Sequence, residues 1–479
     1  MTKRLPVRPA PGPLEGYAAR FDDLFRARAQ REGFRRYLEG LLLPTERNKT
    51  LTALANTEPA AGAQRKEAQS LQWFLSESGW DPEEVNERRL ELLFEDLSTA
   101  ASDRGVLVID EHGDRKWGKH TAHVGRQWLA NIGKTDNGVV SVSSLWADEG
   151  AYYPLEVEPY TPARHFEGGK GDPEFRTKLE IARQLVERSV AEGVLFRAVV
   201  ADSFYGEDRG FKRSLGELGV AYVLSLKKSH CWWHVEGTVG ALWEAAMAAS
   251  EAWKDAEESG GWTKVARTFR DGHREEWWAL EVEAGPYGTR RAKRALVVTA
   301  DPEGLPDLAT WYLTTNLPAP GSERGNEEGA LAPASVAEVV RLYGLRMWVE
   351  QSYKQVKHAL GFSDYQVRSD HAIRRHWQLA CCAFSFCWWA YGRLPTDEPT
   401  ERKNEVPVES AGRGKKQDPE ILAGGAQGGK GVAGTVGDAS ALLGGVLRSA
   451  AATGAKSAAR AGVLGARALP LCPLATNYR

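Results

Sequence analysis

Residues 104–120 read RGVLVIDEHGDRKWGKH, in which Val106, Leu107, Val108 and Ile109 run without a polar break into Asp110. A half-exposed strand would alternate, so an uninterrupted branched run predicts a strand covered on both faces. Working outward, VVSVSSLWA (139–147) and YYPLEVEPY (152–160) predict two further strands, EFRTKLEIARQLVERSVAEG (174–193) a helix, and FRAVVADSFYGED (196–208) a second buried strand running into Asp202. The order β-β-β-α-β calls for a mixed α/β sheet flanked by helices. An acid at the end of such a strand lies where open α/β sheets bind ligands, although one Asp alone means little because turns and helix caps use it constantly.

A third stretch, RLYGLRMWVEQSYKQVKHALGF (341–362), predicts an unbroken helix. At about 100° per residue, Tyr343, Arg346, Glu350 and Lys357 fall within roughly a 60° arc. One carboxylate is then flanked by a guanidinium, an ammonium and a phenol, a face suited to phosphate and a metal ion. Between Arg341 and His376, seven Lys or Arg stand against three acids, so a positive stripe continues past that face. A solvated helix surface accounts for part of it; joined to a carboxylate constellation, it favours a phosphate track.

The ordered pattern Asp110, Asp202 and Y-x2-R-x3-E-x6-K resembles the DDE transposases of insertion sequences. The stretches YLEGLL (37–42), ERNKTLTALAN (46–56), GKHTAHVGRQWLANIGKTDNG (118–138) and WYLTTNLP (311–318) narrow the resemblance to the insertion sequence 701 family, over about residues 15–392. The resemblance implies an RNase H-like fold that cuts DNA and transfers strands with Asp110, Asp202 and Glu350 as catalytic metal ligands. Two Mg²⁺ ions are expected, with Mn²⁺ able to substitute, because all three ligands are hard oxygens. Arg346, Lys357 and Tyr343 are expected to hold phosphates, and Trp311 to stack on a base flipped from the duplex; a tryptophan packed on a half-buried strand is the plainer account of Trp311. Partners implied are double-stranded DNA at terminal inverted repeats, target DNA and a second copy of the chain. His112, Asp114, Lys119 and His120, near Asp110, are open to DNA contact, but a solvated loop of mixed charge is the plainer account.

The remaining organisation follows from composition and periodicity. Residues 1–101 predict a helical domain, with Arg26, Arg28, Arg31, Arg35 and Arg36 on the side opposite its apolar stripe; DNA-end binding and packing on the core are both open to it. Asp81-Pro82-Glu83-Glu84 marks a helix start. Residues 102–229 are expected to form the first part of the catalytic core, 230–318 a β-rich insertion with a hairpin turn at Asp271-Gly272, and 319–393 the core's C-terminal helices. From 394 to 479 the chain is polar and then Gly/Ala-rich, with Tyr478 its only aromatic from 401 onward. This tail is expected to be disordered. It departs from the family pattern and motivates the alternative of an inactive or domesticated DNA-binding protein.

With 479 residues and a net charge of −2, the chain is no simple basic DNA-binding module; local charge has to carry the interaction. A carboxylate-pair glycosidase is disfavoured, because the basic face at Glu350 would depress a pKa that a general acid needs raised. No apolar run approaches a membrane span and the N-terminus lacks a signal-peptide core, so the cytoplasm is the expected compartment. The five cysteines show no metal-ligand spacing, and Cys381, Cys382 and Cys387 read as buried thiols.

Overall fold

The computed structural model describes residues 6–45, 47–234, 239–268, 274–285, 293–322, 325, 330–347, 349, 356–357, 359–391 and 393. Among them, twelve strands form one sheet: β1 (Val106–Arg115), β2 (Gly125–Leu129), β3 (Lys134–Ala147), β4 (Tyr152–Tyr160), β5 (Ala198–Ala201), β6 (Tyr222–Leu226), β7 (Cys231–His234), β8 (Val239–Ala241), β9 (Thr263–Thr268), β10 (Arg274–Gly285), β11 (Lys293–Thr299) and β12 (Thr310–Thr315). The central order β4-β3-β1-β5-β6, with β3 antiparallel to β1 and β4 while β5 and β6 run parallel to β1, is the RNase H-like arrangement. Val106–Ile109 and all four residues of β5 are buried, as continuous apolar runs require.

Strand β1 does not end at Asp110. It stays paired with β3 from Val106↔Ala147 to Arg115↔Gly138, whereas its parallel partner β5 stops at Ile109↔Ala201. Asp110 therefore lies mid-strand, at the point where one neighbour ceases, and His112 and Asp114 belong to that strand instead of a solvated loop.

The segment from β7 to β12 extends the same sheet. β12 pairs antiparallel with β6, Tyr312↔Leu226 to Thr315↔Val223, and β11 and β10 follow outward. Leu226, Leu242, Ala246, Trp262, Val282 and Val297 form a second, smaller apolar cluster beneath it. β9 and β10 pair as an antiparallel hairpin, although Asp271-Gly272 lies outside the described residues.

Helices Arg28–Leu42, Lys66–Ser76 and Pro82–Phe94 pack on the long helix Asp370–Tyr391 and share the main apolar core. Asp81 caps its helix through Glu83 N–H at 2.9 Å, with Pro82 in the first turn. Two of the arginines expected on an outer face are internal: Arg35 forms ion pairs with Glu15 and Asp22, and Arg31 donates to the Phe25 carbonyl. Arg26 and Arg28 remain exposed, and Arg36 is half-buried. Helical periodicity could not show this, because the compensating acids come from a different segment.

The predicted unbroken helix over 341–362 is interrupted. Helix Val336–Gly344 gives way to a turn at Leu345 and Arg346, where Arg346 N–H to Tyr343 C=O and Val349 N–H to Arg346 C=O are one residue tighter than an α-helix, and Met347, Val349, Val356 and Lys357 are again helical. Gly344, the weakest helix former after proline, marks the change. The far end is turned by Gly361 at φ +66°, where a side chain would also meet Lys49 Cβ at 2.3 Å.

Candidate active site

Asp110 and Asp202 follow residues that are partners across the β1–β5 pair, which brings their carboxylates together where β5 ends. Asp202 also caps the short helix Ser203–Gly206, accepting from Phe204 N–H at 3.0 Å. That helix can lie on β6 because residue 206 is glycine; a Cβ there would sit 1.8 Å from the Ser225 carbonyl oxygen. The Asp110 side chain keeps 16 % exposure, and its carboxyl is pushed up to about 6, first by burial and further by the charge of Asp202, with Arg346 opposing both. Two hard oxygen donors that repel each other in a largely dehydrated corner suit a divalent cation.

Arg346 reaches Asp110 Oδ1 at 3.2 Å, so the guanidinium expected on DNA here neutralises the acid it adjoins. Tyr343 comes from the preceding turn. Burial raises its phenol, Arg346 and a hydrogen bond with Ser225 oppose that, and Asp202 and Asp110 add to the rise, which locates it in the same corner. Lys357 stands beside Asp114, four residues along β1 from Asp110 and about 13 Å away at strand spacing. Burial lowers its ammonium pKa while Asp114 works against the shift. Among the described signature residues, Tyr343 and Arg346 thus stand at Asp110 while Lys357 stands apart from them, at Asp114.

Trp311, on β12, is half-buried, stacked on Trp277 at 4.5 Å and edge-on to Tyr343 at 5.2 Å. These rings, with Arg341, Arg346 and Met347, line a cleft of about 680 Å³ next to the aspartates. Glu350 lies outside the described residues, and among the described residues no three His, Cys, Asp or Glu side chains converge as a metal cluster. Ser225 and Trp277 also border this corner, and neither is apparent from the sequence. Ser225 carries no motif, and Trp277 is one of the 17 tryptophans, distinguished only by its register on β10.

Residues 20–247 match the model of the DDE superfamily endonucleases, and residues 176–386 that of the transposase DDE domain. A protein of Microchaete diplosiphon, described as a probable transposase for insertion sequence element IS701, is 32 % identical over 368 residues, 77 % of this chain and 85 % of that protein. The chain belongs to the DDE transposase family. Both family matches span Asp202, and the first also spans Asp110. As a DDE transposase it is a DNA-binding transposition enzyme of a kind that generally requires a divalent metal. No helix among the described residues is long and apolar enough to cross a membrane.

Proposed function

We propose that this transposase moves its insertion sequence by cut-and-paste transposition, cutting DNA at the terminal inverted repeats and joining the ends to target DNA, with two copies of the chain acting on paired ends. The observation that carries the reading is the side-by-side placement of Asp110 and Asp202 at the end of β5, with Arg346 and Tyr343 closing over them. Asp110, Asp202 and Glu350 are the residues that would hold two Mg²⁺ or Mn²⁺ ions. Bound there, the ions supply an acidified water and neutralise charge at the phosphate. Arg346 and Lys357 hold DNA phosphates, Arg346 exchanging its carboxylate partner for phosphate when the site is loaded. Tyr343 adds a hydroxyl, and Trp311 receives a base flipped out beside the cut.

The test is strand cleavage of a duplex carrying the element's own end. Asp110→Ala, Asp202→Ala and Glu350→Ala are each expected to abolish nicking in Mg²⁺ or Mn²⁺ while retaining binding of the same duplex. Nicking at the wild-type rate by any one of them removes that residue from the site. Full activity in chelator removes the metal.

A further inference from the structure

Beyond Asp110, β1 leads to a second group of cations that the catalytic reading does not use. Arg115, Lys116, Lys119, Arg126 and Arg164 line a depression of about 660 Å³ in which Asp136 is the one acid among the described residues. Trp117 stands over its rim, 84 % exposed, with the Arg115 guanidinium 4.2 Å from its ring. Arg126 and Trp128 project from the same face of β2, both exposed. Arg115 pairs with Asp136 at 3.0 Å and Arg164 donates to the Val124 carbonyl, so those two are held by the fold. Lys119 and Arg126 are exposed, and neither forms an ion pair with an acid among the described residues. The excess of cations over acids in this lining suits a sugar-phosphate backbone.

The depression is joined to the catalytic aspartates by a strand of known length. β1 is paired with β3 without a register shift from Asp110↔Ser143 to Arg115↔Gly138. Five residues of extended chain span about 17 Å, which equals about five steps of a DNA strand at its ~3.4 Å rise. Lys357, beside Asp114, adds one cation between the depression and the aspartates.

We propose that this depression is a duplex-binding surface that grips the DNA backbone about five nucleotides from the scissile phosphate, with β1 setting the distance. It rests on the reading of Asp110 as the cleavage point. The occupant is double-stranded DNA: the lining is cationic, and the rings that would stack on single-stranded bases are limited to its rim.

The experiment uses the full chain and an end-bearing duplex, comparing wild type with Lys119→Gln/Arg126→Gln by hydroxyl-radical footprinting and by a salt titration of affinity. Both side chains are exposed, so the melting temperature is expected to be unchanged. Protection about five nucleotides from the nick should disappear, and the slope of log affinity against log salt should fall by about two, one per lost phosphate contact. Trp117→Ala should weaken the same protection without altering the slope. An unchanged footprint and slope in the double variant overturns the surface, and loss of protection at a distant position instead overturns the spacing. If Asp110→Ala still cuts, the catalytic assignment fails, while the salt slope of the double variant still reports whether the depression binds DNA.

Discussion

His376 is fully buried with both ring nitrogens engaged: Nε2 faces the Gly361 carbonyl at 2.9 Å and Nδ1 the Tyr37 hydroxyl at 2.8 Å. A carbonyl only accepts, so Nε2 carries the proton and Nδ1 accepts from the phenol. Burial pulls the imidazole from 6.5 down to about 4, and the Gly361 bond offsets part of that. Between those values the unfolded chain takes up a proton that the folded chain excludes. Stability therefore falls as pH drops through the window, by about 3 kcal/mol for this group. The loss of melting temperature from pH 6.5 to 4 should be shallower in His376→Gln; an unaltered slope assigns the proton elsewhere. Trp311 offers a second test at this scale. With Trp277 already stacked on it, Trp311→Ala also removes packing, so some loss of stability accompanies any loss of function. If base stacking is its role, the variant should stall at a late cleavage step, and a substrate lacking the flipped base should partly restore the rate. A loss near the ~3–5 kcal/mol of a buried aromatic, with no rescue, leaves it as packing.

Asp202 is held at the level of its element. Helix Ser203–Gly206 touches β6 through the bare Cα of Gly206, and Lys227 N–H and His230 continue the attachment through Glu207. Gly206→Ala should push the helix away, cost about 1–3 kcal/mol and reduce cleavage more than DNA binding, since the displaced group is an acid. Equal loss of both would mean that the whole domain has loosened. Much of this level was legible beforehand. Val106–Ile109 and Ala198–Ala201 are buried on both faces, so their strands announce themselves as apolar runs ending at the two aspartates. The helix break after Gly344 was not legible, because one glycine in an otherwise helical pattern is usually tolerated. Nor was the continuation of β1 to Arg115: apart from Gly113 its side chains are polar, so no apolar pattern marks a stretch that pairing with β3 keeps extended. Strand order from β7 to β12 is equally absent from local pattern, since nothing in TWYLTTNL names β6 as its neighbour.

Across the whole molecule, the N-terminal helices and the C-terminal helix Asp370–Tyr391 close on the sheet through Arg89. This fully buried guanidinium donates to Asn86 Oδ1, the Pro154 and Leu155 carbonyls and Ser385 Oγ. Arg89→Ala strands those acceptors and should cost about 2–4 kcal/mol in chemical denaturation. A change below about 0.5 kcal/mol would show that water replaces it. The same closure has a consequence in time. Tyr37 and His376 are 339 residues apart in the chain, and synthesis at ~5–20 residues per second separates them by roughly 17–68 s. Over that interval helix Arg28–Leu42, joined later by Pro82–Phe94, presents bare the apolar face that Asp370–Tyr391 eventually covers. Helices made early in translation thus complete their packing only once Asp370–Tyr391 has left the ribosome.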